Sequence, residues 1–418
     1  MKIAWFSPLP PKKSGIADFS RNVLTYLKKF SKLILFVEDY WPTESLARDC
    51  LVFQYVEKSR INWRLLEQVE ACDLVFFNMS NDFRFHSYAY ELLLRYPGIV
   101  ILHDYVLQFF YAGYYLIEKR NFSGYVEKFK ELYALDLITT YPVADGRTVI
   151  LNFLKKIYVD HSILWYPMNE EIISKASALV VHSDFALQNI KKKFLSKLVV
   201  KIDLPYTLPE ETLVSLQSNP YSFSVPKDRP KLIAATFGYV LPNKAYELVF
   251  KVLQSNSMLQ KHMEYWIVGG TFFWYNIHSL AKKYKLQAIV KIFGYQEPEK
   301  VQEILSCVDL CIALRDPTMG ETSSSLLNQM LLSKPVVVLN VGWYAELPNT
   351  FVFKLNPESA EKELEEILKM SLFNRSELIK MGNRAREYVL AHHTPMHYAQ
   401  KLMEVGRQFN EMINKKID

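Results

Sequence analysis

Glycine is scarce in this chain, at 13 of 418 residues. No Gly-x-Gly-x-x-Gly run occurs, so the usual dinucleotide fingerprint is missing. The few loop glycines therefore carry more information than usual. No Asp-x-Asp occurs either, so a metal-clamped diphosphate is not expected, and no metal or cofactor is assigned. Cysteine is limited to Cys50, Cys72, Cys307 and Cys311. No second Cys or His pair completes a zinc-type spacing, and buried thiols are expected. Basic residues are scattered; the tightest cluster is Lys191-Lys192-Lys193 and the formal net charge is only +6. That leaves no nucleic-acid footprint. No apolar run reaches membrane-spanning length. The opening MKIAWFSPLPP is too short an apolar run for a signal peptide. A cytoplasmic chain, at most peripheral at the inner membrane face, is the expectation.

Half of the residues are hydrophobic, and Tyr and Phe number 26 each. A globular chain of this length predicts two domains. Apolar, β-branched runs of strand length alternate with segments of helical spacing throughout, which predicts parallel α/β architecture. Pro205 to Pro230 is the one long Pro-rich polar stretch. It reads as a linker at 206–230, between a first domain at 1–205 and a second at 231–395, with a last helix over 396–418.

In the first domain, Lys2–Phe6 is a strand, and Ser7–Gly15 a loop before a helix from Ile16. Gly15 either lets backbone approach a phosphate or sugar, or only permits the turn. Ser14 or Asp18 caps the helix. The strand at 73–78 ends in polar residues that include Asn81. Gly98–His103 is a strongly apolar strand that ends in His103 and Asp104. The strand at 178–182 ends in His182, with Ser183 or Asp184 as the next cap. A histidine at such a strand end is either a satisfied structural residue or part of a site. Residues 105–175 read as an aromatic, mostly helical region broken at Asp145-Gly146-Arg147.

The second domain repeats the pattern. Four predicted strand ends carry polar or Gly residues: Gly238 to Lys244, Gly269-Gly270, Gly294-Tyr295, and Arg315 to Ser325. In an open parallel sheet, ligands gather beyond the carboxyl ends of strands. Lys244 and Arg315 suit a diphosphate. Gly320, Glu321, Thr322 and Ser323 precede a helix start, which suits either an anion or simple capping.

These motifs together resemble glycosyltransferase family 4, the large retaining GT-B group also called group 1. SPLPPKKSGIADFS is similar to its N-terminal loop, RYPGIVILHD to the stretch with its site histidine, and VVHSDFA to the end of its first domain. FGYVLPNKAYEL resembles its phosphate-lysine loop. LRDPTMGETSSSLL and VGWYAELP resemble its donor loop. The resemblance implies two Rossmann-like parallel-sheet domains facing each other across a cleft, with the C-terminal helix crossing back to the first. It implies a metal-independent hexosyltransferase that moves a sugar, with retention, from a UDP- or GDP-linked donor to a hydroxyl of a glycan, lipid-linked glycan or protein. A nucleotide-sugar epimerase of the same fold and a non-catalytic GT-B subunit are the alternatives. Carried over, Gly15 meets the donor phosphate or sugar, His103 the reacting sugar, Lys244 the diphosphate, and Tyr295 the base. Gly320, Glu321, Thr322 and Ser323 hold sugar and phosphate. Asn81, Asp104 and His182 are acceptor-side candidates. Two positions depart from the family pattern. Gly238 stands where an arginine is common, with Arg315 as the compensating cation. Gly320 and Asn328 stand at the places of a glutamate pair, with Glu321 displaced by one and Asn328 the substitute.

Overall fold

The computed structural model describes residues 1–58, 60–137, 146–159, 161–209, 213, 230–271 and 275–417. Most of the expected linker at 206–230, and Asp145 of the expected break, lie outside them. By its contacts the chain forms two units. The first comprises 1–205, 319–322 and 395–418; the second comprises 206–318 and 323–394.

The first unit holds a seven-stranded sheet. Its strands are β1 (Lys2–Phe6), β2 (Lys32–Val37), β3 (Leu51–Gln54), β6 (Leu74–Met79), β7 (Ile99–Leu102), β8 (Ala178–Val181) and β9 (Val199–Lys201). A small antiparallel hairpin, β4 (Val56–Glu57) with β5 (Arg60–Ile61), interrupts the series. The sheet order is β3-β2-β1-β6-β7-β8-β9, with every pairing parallel. Parallel strands are covered on both faces and so read as continuous apolar runs. Ile3, Ala4, Trp5 and Phe6 accordingly have no exposed surface.

Phe6 pairs in register with Phe36 on one side and Phe77 on the other. Its ring stacks on theirs at 4.5 and 4.6 Å between centroids. Phe53 extends the row beside Phe36, at 5.7 Å. Four strand ends thus stay level through one aromatic layer. On the other face, Trp5 packs against Phe19 of the helix Gly15–Leu27 and donates to Ser20 Oγ at 3.2 Å. The last helix, Pro395–Ile417, packs on Gly15–Leu27, as the sequence implied. Tyr398 sets its ring edge-on to Phe19 at 5.2 Å. A Cβ at Gly406 would lie 2.3 Å from Leu74, so a small residue lets this helix approach.

The second unit holds a six-stranded parallel sheet. Its strands are β10 (Leu232–Phe237), β11 (Met263–Val268), β12 (Val290–Gly294), β13 (Leu310–Ile312), β14 (Val336–Leu339) and β15 (Val352–Leu355). The order is β12-β11-β10-β13-β14-β15. Strand order reverses direction between β10 and β13, as it does between β1 and β6 in the first sheet. These reversal points are where ligands of open parallel sheets bind. Cys311 lies buried in β13, but Cys307 is exposed just after the helix Pro298–Ser306, so only one of this pair is a core thiol. No described helix is long and apolar enough to cross a membrane.

Replacing Phe6 by Ala should cost about 3–5 kcal/mol, because a fully buried ring leaves a cavity between two stacked partners. Denaturant unfolding followed by tryptophan fluorescence measures this. A loss below about 1 kcal/mol would show that the aromatic row does not hold the strands.

Candidate functional site

In the first unit the chemistry-bearing residues sit at strand ends. The helix after β1 starts at exposed Gly15, and Ser14 caps it by accepting from Ile16 N at 3.2 Å. Gly15 therefore occupies the first turn, whose amides point away from the helix body. His103 follows β7, and its backbone N–H donates to the Met79 carbonyl at 2.9 Å. Its ring lies 5.0 Å from the His182 ring and edge-on to Phe19 at 4.8 Å. His103 Nε2 lies 2.9 Å from Asn78 Oδ1. Burial, then the neighbouring His182 and His86, hold His103 well below the usual histidine range. Burial likewise pushes His182 and His86 down to about 4. Three imidazoles are packed here, and all are uncharged at neutral pH.

Asp104 behaves oppositely. Its Oδ2 accepts from Asn81 N at 2.9 Å, yet burial raises it to about 7, with Glu321 and Asp82 adding to the rise. Glu321 belongs to this unit because Met319–Thr322 packs within it. The Met319 carbonyl accepts from Val106 N at 3.0 Å, and Glu321 Oε2 accepts from Met319 N at 2.7 Å. Gly320 has φ of +68°, and a Cβ there would lie 2.5 Å from Tyr105, so the position demands glycine. Thr322 Oγ1 donates to the His182 carbonyl at 3.4 Å. The Asn81 side chain ties down the start of the next helix, since its Oδ1 accepts from Phe109 N and Phe110 N at 2.9 and 3.0 Å. The structure thus brings His103, His182, Asp104, Asn81, Gly320, Glu321 and Thr322 into one unit.

In the second unit the strand ends at the reversal point carry the cations. Lys244 ends a short 3-10 turn, Pro242–Lys244, and is only 3% exposed. Its ammonium donates to the Phe237 carbonyl at the end of β10. Burial, then the Arg315 guanidinium, hold it well below the usual lysine range. Arg315 follows β13 and donates to the Leu314 carbonyl at 2.8 Å. Gly238 has φ of +87°, and a Cβ there would lie 3.0 Å from Lys244 Nζ. At Gly269 a Cβ would lie 2.1 Å from the Gly238 carbonyl oxygen, so two strand-end loops touch through bare backbone. Ser323 caps the helix Ser324–Leu331 by accepting from Leu326 N at 3.2 Å. Tyr295 is 49% exposed after β12, and its hydroxyl donates to Glu297 at 3.2 Å. Asn328 is engaged at both ends of its amide: Oδ1 accepts from Thr207 N at 3.0 Å, and Nδ2 donates to Thr207 Oγ1 at 2.9 Å. In this structure it anchors the chain at 207.

Asn78, His86, Phe19 and Tyr398 join the histidine group without having been singled out from the sequence. Asn78 had a weak signal, one amide inside the apolar run LVFFNM. Tyr398 had none, since only the docking of the last helix brings it beside His182, at 5.7 Å between rings.

The raised Asp104 carboxyl makes a pH prediction. Its folded pKa lies above the unfolded value, so its contribution to stability is full below about pH 4 and is lost as pH rises to about 7. Asp104→Asn should flatten the fall in thermal midpoint between pH 4 and 7 relative to the parent protein. Identical midpoint–pH curves would count against a carboxyl raised by burial.

Residues 218–388 match the family model described as glycosyl transferases group 1. No curated protein sequence matches the chain. Among solved structures, sucrose-phosphate synthase from Thermosynechococcus elongatus is similar, with 14% identity, 98% of each chain covered and a TM-score of 0.64. A glycosyltransferase from Rickettsia africae ESF-5 gives 15% identity, 98% of each chain and 0.61. Anabaena Alr3699/HepE in complex with UDP and glucose gives 13% identity, 97% of this chain, 99% of that chain and 0.60. At such identities the likeness shows the fold alone. The chain has the GT-B fold, and within it residues 218–388 match the model described as glycosyl transferases group 1.

Proposed function

We propose that this protein is a retaining, metal-independent glycosyltransferase that takes a hexose from a nucleoside diphosphate sugar and passes it to a hydroxyl acceptor. One observation carries the reading: Lys244 is buried at the reversal point of the second sheet with a second cation, Arg315, beside it. Two adjacent positive groups disfavour each other's charge unless an anion lies against them. A diphosphate is such an anion, and its charge grows as the sugar leaves. Lys244, Arg315 and the amino end of the helix Ser324–Leu331 stabilise that growing charge. The absence of Asp-x-Asp from the sequence agrees with cations in the place of a metal.

On the sugar side, His103 and Glu321 are the groups assigned to the reacting ring. His103 is uncharged and polar, so it orients hydroxyls without adding charge near an oxocarbenium-like centre. Glu321 supplies a carboxylate whose negative charge favours such a centre. Asp104, with its pKa near 7, is the acceptor-side group able to exchange a proton at neutral pH. The acceptor is a glycan or lipid-linked glycan, met in the cytoplasm or at the inner membrane face. The donor is UDP- or GDP-linked, and the UDP bound in the Alr3699/HepE structure makes UDP the first probe.

Calorimetry against UDP, GDP and ADP tests the reading, followed by mass-spectrometric screening of nucleotide sugars for transfer or hydrolysis. Lys244→Ala should weaken nucleotide binding at least about thirtyfold, the result of removing a buried charge partner. Failure of the parent protein to bind any nucleotide sugar sinks the proposal.

A further inference from the structure

Asn78 sits at the end of β6 with its side chain fully buried. Its Nδ2 donates to the Phe6 carbonyl at 3.1 Å. A carbonyl can only accept, so the NH2 end of the amide must face Phe6. The reversed amide would press two acceptor oxygens together in a buried place. Oδ1 therefore faces His103, 2.9 Å from Nε2. An amide oxygen can only accept as well, so His103 Nε2 carries a hydrogen and donates it. In an uncharged ring, Nδ1 is then left with the lone pair.

The surrounding groups support the uncharged ring. His86 Nδ1 donates to the Asn78 carbonyl at 2.8 Å, and His182 Nδ1 donates to the Ile202 carbonyl at 3.0 Å. Both of these rings are fixed by carbonyls, and both stay neutral in the buried layer. Phe19 closes the edge of His103 with an apolar ring. Asn78 thus uses its side chain to hold His103 and its backbone to hold His86.

We propose that Asn78 is a positioning residue that fixes His103 as the Nε2–H tautomer, so that the nitrogen left for the donor sugar is an Nδ1 lone pair. This rests on the reading that His103 meets the sugar. A lone pair accepts from a sugar hydroxyl and leaves that hydroxyl's oxygen electron-rich. An N–H in its place would donate instead, and would select a different set of sugar oxygens. Asn78 acts through His103 and touches no substrate.

Nitrogen-15 NMR of the full chain, labelled at histidine, tests the assignment, with the His103 signals identified by their loss in His103→Gln. The expected pattern is a protonated Nε2 and an unprotonated Nδ1, unchanged between pH 6 and pH 8. A protonated Nδ1, or an imidazolium at pH 6, overturns the proposal whatever the protein's activity. Asn78→Ala should turn the His103 signals into a mixture of tautomers. With donor turnover established, Asn78→Ala should lower it about tenfold to a hundredfold, as loss of a histidine's orienting partner does. Unchanged tautomer and turnover in Asn78→Ala overturn the role. Absence of turnover in the parent protein strikes the glycosyltransferase reading instead, and the parent spectrum still decides the tautomer.

Discussion

The row of stacked rings through Phe6 is the contact on which the first unit depends. Phe36, Phe6 and Phe77 are partners in register, so their stacking holds three parallel strands level. Phe6 is also the last residue of β1, and its carbonyl is the acceptor that orients Asn78. A buried apolar contact therefore sets the place of a buried polar one. Non-directional burial brings the strand ends together, and hydrogen bonds with fixed donors and acceptors then choose among rotamers and tautomers.

The two units solve different electrostatic problems at their strand ends. In the first, burial drives three histidines to their neutral forms and raises Asp104 toward neutrality. Such a place favours hydrogen-bond direction over charge. In the second, Lys244 and Arg315 sit together where the sheet reverses, and burial there works against the lysine's charge. Such a place gains most from an anion.

Parallel strands were legible in the sequence because burial on both faces writes them as unbroken apolar runs. The runs read as strands at Lys2–Phe6, Asp73–Asn78 and Lys231–Phe237 became the strands Lys2–Phe6, Leu74–Met79 and Leu232–Phe237. Lys244, Gly238 and Arg315 were legible as a group, because strand-end loops of a parallel sheet gather on one edge. Ser14 and Ser183 were legible as caps only in the alternative with Asp18 and Asp184; the hydrogen bonds to Ile16 N and Ala186 N chose the serines. The exposure of Cys307 was not legible, since its apolar neighbours Val308 and Leu310 turn inward while it closes a helix at the surface.

What the sequence determined by itself was the order of strands and helices, the strand-end location of the polar residues, and the family resemblance of their motifs. Periodicity and local spacing are properties of neighbouring residues, so a linear reading recovers them. The tertiary structure alone decided which distant residues share a site. It placed Tyr398 beside Phe19 and His182, engaged the Asn328 amide with Thr207, and seated Met319–Thr322 within the first unit. It also decided which atom of Asn78 faces His103. Such choices depend on donors and acceptors far apart in the chain, and no local pattern encodes them.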